Sequence, residues 1–393
     1  MRSRSPDCTS CLGPLVAGLV IYLAAVAAPA NADFEWTGDF RLRADLLDFP
    51  EGDGPGEPGP GPESPGPGPS EPGPGPGSGP GPGPEGPSVD SVDRYAASLR
   101  AGFVWGPSSW VETGAGFRWN VGSGDEFPPH DNEPRDEFEL DRLFLRWLPS
   151  ANDELTVGKT DLPLDLSPML WDDDLRPIGV ALTGRRPVGA FDEFEWSLGY
   201  FEPDHPFGGD EAMVAGQIAY VARQGALTGG SVRLAYLDFD DLETLPPALS
   251  GRGNPYTMEG PESEYQIADL QAALRVPLGG GALKLSVDVA ENLEADVDEQ
   301  AFRGGFRWRS AEGDGRLALG GSYEDIAAQA VLGAYNSDDW WFHAAFRGTS
   351  VWLSYELRGG AVLKLSGFEE RLDGTRDDVR RLLIDLTWGD SRP

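Results

Sequence analysis

The sequence predicts an all-β chain: a transmembrane antiparallel up-and-down β-barrel of about 16 strands, with its third outer loop folded inward. Three observations carry this. Apolar and polar residues alternate with period two over segments near ten residues long, longer than the five or six usual in soluble strands. Short turns and long polar loops take turns along the chain, the asymmetry expected of a barrel with tight turns on one side of a membrane. After the first 32 residues no apolar run is long enough for a spanning helix.

The chain opens with Arg2 and Arg4, an apolar run from Leu12 to Ala28, and Ala30-Asn31-Ala32, an A-x-A cleavage pattern. This predicts a signal peptide over 1–32, removed near Ala32. Both cysteines, Cys8 and Cys11, precede the cut, so the remaining chain has no disulfide and no thiolate metal site. The barrel is expected over 33–388, with a tail at 389–393. The formal net charge of −34 argues against nucleic acid as a partner. Fifty-three glycines and four methionines suit many tight turns better than helices.

The first strand runs from Asp33 to Leu46. Phe34, Trp36, Phe40 and Leu42 lie on one side, and Glu35, Asp39, Arg41 and Arg43 on the other. Residues 49–91 are Gly-Pro low complexity without a strict triplet, which excludes collagen and reads as an outer-loop insertion. Alternation resumes at Tyr95–Trp105, where Arg94 and Arg100 face away from the apolar side. It continues through Val111–Val121, carrying Arg118, and Leu143–Trp147, carrying Arg142 and Arg146. Strands follow at Leu155–Val157, Ile178–Leu182, Phe194–Tyr200 and Val214–Tyr220. At 232–239 two faces compete: Val232, Leu234 and Tyr236, or Ala235, Leu237 and Phe239. Ala268–Val276, Leu283–Val289, Phe302–Trp308 and Leu317–Tyr323 come next. Ala327–Phe346 shows no clean alternation and fits either a loop or an extra strand. Val351–Leu357, Leu363–Leu365 and Leu382–Trp388 complete the set, with Gly389–Pro393 trailing. Taking Ala327–Phe346 as a loop gives 16 strands; 14 or 18 are the alternatives.

Residues 156–183 break the pattern most sharply. Pro163, Pro168 and Pro177 forbid a regular element between two strand-like ends. Leu162, Leu164, Leu166, Met169, Leu170 and Trp171 are too apolar for a freely solvated loop. The same segment carries Asp161, Asp165, Asp172, Asp173, Asp174 and Arg176. It is expected to fold into the lumen and present its aspartates to the wall bearing Arg41, Arg43, Arg94, Arg100, Arg118, Arg142 and Arg146. Salt bridges across the lumen are the structural alternative for those arginines. The acidic balance favours weak cation over anion preference.

Gly38–Leu46, Glu139–Trp147, Met169–Leu182, Leu332–Asp339 and Arg380–Trp388 together resemble a family of bacterial outer-membrane channels, the porin-like barrels. The run Trp171–Gly179 is the most specific of these; the insertion at 49–91 is foreign to the pattern. The resemblance implies a passive diffusion channel for small hydrophilic solutes or ions, with no cofactor, no metal and no catalysis. It implies a bacterial outer-membrane setting, contact with outer-membrane lipid, and the third loop as the pore constriction. Porins commonly form homotrimers, but no face of the sequence identifies an interface. His130, His205 and His343 read as exposed loop residues, and no nucleophile-elbow or zinc-helix pattern occurs. Asp172–Asp174 lack the Gly and distal Glu of an EF-hand. A structural or adhesive barrel without an open channel is the alternative function.

Overall fold

The computed structural model describes residues 33–48, 91–123, 138–204, 210–223, 228–245, 252–257, 260–311, 316–375 and 378–389. The leader at 1–32, all but the last residue of the 49–91 insertion, and the tail beyond Gly389 lie outside the described residues.

The strands in chain order are β1 (Asp33–Asp48), β2 (Ser91–Ser108), β3 (Val111–Gly122), β4 (Phe138–Ser150), β5 (Asp153–Lys159) and β6 (Ile178–Val188). They continue as β7 (Asp192–Glu202), β8 (Ala212–Arg223), β9 (Gly229–Asp240), β10 (Tyr256–Thr257), β11 (Gly260–Pro261) and β12 (Gln266–Leu278). The last six are β13 (Gly281–Asn292), β14 (Gln300–Ser310), β15 (Leu317–Ile326), β16 (Phe346–Glu356), β17 (Val362–Leu372) and β18 (Asp378–Gly389). Strands β10 and β11 form a small hairpin inside the long β9–β12 connection. The other sixteen pair antiparallel with their chain neighbours and close into one barrel through β1 and β18. No helix among the described residues is long and apolar enough to cross a membrane.

The alternation read from the sequence is the inside–outside alternation of this barrel. Trp36, Leu99, Leu198, Val232, Leu274, Leu285, Val351 and Leu382 all point outward and are exposed, forming an outer apolar belt of the kind membrane barrels carry. Every buried backbone group must find a partner in hydrocarbon, and closure removes the edge that would otherwise leave some unpaired. Across the closing seam Asp45 accepts from Arg94 (3.0 Å) and from Arg381 (2.9 and 3.0 Å), so three lumen-facing residues of β2, β1 and β18 form one charged row.

Strand β9 settles the competition between its two faces. Val232, Leu234 and Tyr236 face outward, while Ala235, Leu237 and Phe239 are buried inside. Both faces are apolar because the outward one belongs to the exposed apolar belt and the inward one meets a packed core. That core holds Met213, Leu237, Ile267, Ile326, Phe346 and Phe368 from the wall and Met169, Leu170, Trp171, Val331 and Tyr335 from loops. Ala327–Phe346 is correspondingly a loop through residue 345, and its apolar residues are buried rather than alternating.

Strand β4 begins at Phe138 and carries a bulge. Gly116 pairs with Arg142 and Phe117 with Leu140, leaving Asp141 as the extra residue. A bulge lets two successive side chains share a face; Asp141 and Arg142 lie beside each other, 3.6 Å apart at their charged ends. On β5, Gly158 has φ +122°, and a Cβ there would lie 2.1 Å from Leu143 O. Both the dihedral and the contact exclude a side chain. Gly158→Ala is therefore expected to destabilise the barrel by about 1–3 kcal/mol, read as a lower midpoint in urea unfolding of the refolded protein.

Candidate functional site

The loop from Thr160 to Pro177 joins β5 to β6 and lies inside the barrel. Its neck is pinned where Thr160 N–H donates to Pro177 O at 3.3 Å. Its apolar residues anchor it: Met169, Leu170, Trp171 and Leu175 are buried in the core. Its middle is strapped to the wall. Gln217 and Gln271 both donate side-chain N–H bonds to Asp165 O, and Gln217 accepts from Asp165 N–H. The Ser167 hydroxyl donates to Asp288 at 3.2 Å.

A second segment enters beside it. Residues 327–345, between β15 and β16, meet the first loop along a backbone seam. Asp172 N–H donates to Tyr335 O (2.7 Å) and Ser337 N–H to Pro168 O (2.8 Å). The Asp172 carboxylate accepts from the N–H groups of Asp174 and Asp338. Tyr335 is sandwiched between Trp171 and Phe239, with ring centroids 5.6 Å away on each side. The β9–β12 connection locks the back of this segment. Arg252 donates to the carbonyls of Gly333 and Ala334, and Asn254 donates to those of Ala328 and Val331. Gly253, at φ +98°, passes so close to Ala344 O that a Cβ would lie 2.3 Å from it.

The structure brings part of the sequence-derived set together: Asp174 and Asp161 meet Arg41, Arg100, Arg118 and Arg142, while Arg94 pairs with Asp45 on the wall. Asp174 accepts from Arg41 at 3.1 Å and from Arg100 at 2.5 Å, and its backbone O accepts from Arg118 at 3.2 Å. Burial alone would raise the Asp174 carboxyl; Arg100 and Arg41 overcome it and hold the group well below the usual carboxylate range. Asp161 binds Arg142 (3.0 Å) and Arg176 (2.9 Å). Asp165 binds Arg233 at 2.7 Å. Arg118 pairs with Glu139, and Arg146 with Glu112 and Glu154. Arg43 is drawn to the other loop: it binds Asp385 at 2.7 Å and Asp339 at 2.8 Å. Burial would raise Asp339 too, but Arg43, with Lys364 and Arg381, holds it far down. Asp161, Asp165 and Asp173 remain exposed to lumen water, whereas Asp172 is buried. Between Asp174, Arg176, Asp141 and Lys159 lies a polar cavity of about 10 Å³, close to the smallest space that holds one water.

Sequence reasoning missed the second inward loop and the residues that seat it. His343, expected on the surface, is fully buried, its Nδ1 2.6 Å from Asn336 Oδ1. His130 and His205 lie outside the described residues. Glu370, on β17, accepts the N–H groups of Trp341 and Phe342 at 2.9 Å. No local pattern around Glu370 signals that role; the signal available was the unusual apolar density of 327–346. Among the described residues, no cluster of His, Cys, Asp or Glu is arranged to hold a metal ion.

Asp174→Asn removes the counter-charge from two arginines whose side chains are 19% and 17% exposed. The expected loss is roughly 2–4 kcal/mol, the lower part of the range for breaking a buried pair, because some solvent screening persists. The folded-state pKa of Asp174 lies below the unfolded value of about 3.9, so its contribution is complete above that value and is lost as pH falls through the folded pKa. Wild-type melting temperature should therefore fall below about pH 4, and the Asn variant should fall less steeply over the same range. Tyr335→Ala, which deletes both stacks and a buried side chain, is expected to cost about 3–5 kcal/mol. Proteolysis should then cut within 327–345 while the barrel stays intact.

No protein-family model matches this chain, and no curated protein sequence matches it. Solved structures do. OprB of Pseudomonas putida, in its high-pH structure, superposes with a TM-score of 0.56 at 12% identity, over 95% of this chain and 96% of that one. The outer membrane protein OpdK of Pseudomonas aeruginosa gives 0.48 at 12% identity, over 90% and 99%. A Rhodopseudomonas blastica porin triple mutant gives 0.46 at 12%, over 91% and 100%. The likeness to OprB is one of fold, which in this chain is a closed antiparallel barrel of sixteen strands.

Proposed function

We propose that the chain is a passive diffusion channel of the bacterial outer membrane, passing small hydrophilic solutes or ions. One observation carries the reading: an inward loop holds water-exposed Asp161, Asp165 and Asp173 in a lumen whose β1–β4 wall bears Arg41, Arg43, Arg100, Arg118, Arg142 and Arg146. Ion pairs would also stiffen a structural barrel, but such a barrel does not need the exposed Asp173 carboxylate, which makes no ion pair among the described residues. A channel does, because charge of both signs at a narrow passage admits hydrated solutes and rejects apolar ones. In this mechanism Asp172, Asp174 and Arg176 fix the loop's position, and Asp161, Asp165 and Asp173 face the solute. The arginines act twice, holding the loop and setting the opposing potential. The protein's part is binding, orientation and screening, with no bond made or broken.

A second reading keeps a specific observation of its own. Three loops interlock over an apolar core that fills the β8–β9 and β12–β18 side of the outer lumen. A structural or adhesive barrel would use such a plug. Single-channel recording of the refolded protein in planar bilayers separates the two. A channel gives stable open steps, and Asp161→Asn with Asp165→Asn and Asp173→Asn moves its reversal potential under a salt gradient toward the anion side. A heat-modifiable barrel that inserts and never conducts leaves the structural reading standing.

A further inference from the structure

Three cations on the far wall are not used by any of this. Arg275 on β12 stands opposite Lys284 on β13, and Lys284 stands opposite Arg307 on β14. Their neighbours Leu274, Leu285 and Phe306 point outward, so strand alternation turns all three to the lumen. Adjacent strands are about 4.8 Å apart, which places the three charges within roughly 10 Å of wall. Arg275 is exposed, and Lys284 and Arg307 are half-buried. Like charges directly opposite one another work against strand pairing. Arg309 adds another cation at the next inward position of β14.

Among the described residues no carboxylate forms an ion pair with this row, although Asp165 and Asp288 act on Lys284 from farther off. One inward step toward the outer side, the lumen-facing positions are Ala273, Ser286, Gly305 and Ser322, all small and uncharged. A further step reaches Asp288 and Glu324, and both already bind Arg303, at 3.2 and 2.9 Å. Asp165, on the loop, is held by Arg233. Among the described residues, Arg275, Lys284 and Arg307 share in no ion pair or side-chain hydrogen bond, whereas Arg41, Arg43, Arg100, Arg118, Arg142 and Arg146 each bind a carboxylate. The row lies three residues from the tight turn after Leu278, at the short-turn mouth.

We infer that Arg275, Lys284 and Arg307 form a docking ledge for small oxyanions carrying two or more negative charges, of the sulfate, phosphate or dicarboxylate kind. The ledge rests on the channel reading and sharpens it. The acidic sequence as a whole argues for cation preference, but the charge left free in the lumen is here basic. The band of small residues beside it leaves room for the anion, and Ser286 supplies a hydroxyl donor at its edge. A multivalent anion gains more than chloride because it meets several cations at once.

The test compares wild type with the triple variant Arg275→Gln, Lys284→Gln, Arg307→Gln in planar bilayers. Arg275→Lys with Arg307→Lys serves as the charge-keeping control, and heat-modifiability verifies folding of each. The expected result is a wild-type chloride-to-potassium permeability ratio above unity that falls several-fold in the triple variant and not in the control. Millimolar sulfate should reduce the wild-type chloride current and leave the triple variant unaffected. Steady conduction with the same reversal potential in both proteins, and no sulfate block, overturns the ledge and leaves the channel intact. A barrel that never conducts overturns the channel reading instead. Sulfate-dependent melting, which needs no current, then judges the ledge: a wild-type melting temperature unmoved by sulfate, or moved equally in the triple variant, overturns that as well.

Discussion

Irregular backbone can enter a barrel only if its N–H and C=O groups find partners there. Everything inside this barrel follows from how that demand is met. The Thr160–Pro177 loop and the 327–345 segment bond to each other along a seam at Asp172, Tyr335, Ser337 and Pro168. The remaining groups are taken up by a few buried side chains: Asp172 accepts from Asp174 and Asp338, Glu370 from Trp341 and Phe342, and Asn254 both accepts from Gly333 and donates to Val331. Each is an acceptor or donor aimed at backbone, so the loops are positioned by main chain more than by side-chain identity. The apolar residues they carry can then pack on the wall, at the cost of one buried indole N–H, that of Trp171, with no hydrogen-bond partner.

The lumen divides accordingly into two sectors. Around β8, β9 and β12–β18 the outer part is filled and dry, with Tyr335 clasped between Trp171 and Phe239. Around β1–β4 it is charged, with Asp174 as the hub that receives Arg41, Arg100 and, at its carbonyl, Arg118. The loop spans both sectors. Its leucines, Met169 and Trp171 belong to the first and Asp161 and Asp174 to the second, while Asp165 reaches back to Arg233 on β9, so one short segment holds both extremes of polarity.

How far the sequence reveals this depends on the contrast between the two faces of each strand. Where the outward face is apolar and the inward face charged, as along β1, β2 and β14, alternation marks the strand and its orientation together. At β9 the contrast vanishes, because Leu237 and Phe239 meet the loop core, and the sequence leaves the face undecided. The segment 327–345 fails for a related reason: its burial is supplied by residues far away, at Arg252, Asn254 and Glu370, and no local period records them. The Thr160–Pro177 loop is legible because prolines exclude strand and helix while its leucines exclude solvent. The gathering of its acids and the arginines is legible as a charge tendency only. That Arg43 turns from this loop to Asp339 and Asp385, or that a bulge at Asp141 puts two charged residues side by side, requires the registers themselves.

The row Arg94–Asp45–Arg381 has a temporal meaning as well as a spatial one. Asp45 and Arg381 are 336 positions apart in the chain, and β1 cannot meet β18 until everything between them has been delivered. Long-separation pairing is slow because loop-closure entropy is lost before contacts repay it. The same Arg43 that binds Asp385 on β18 also binds Asp339 on the inward segment. Sealing the cylinder and seating its interior therefore share one side chain. A cylinder left unsealed would lack part of the anchor for its inner segment, so completion of the wall is registered in the order of the lumen.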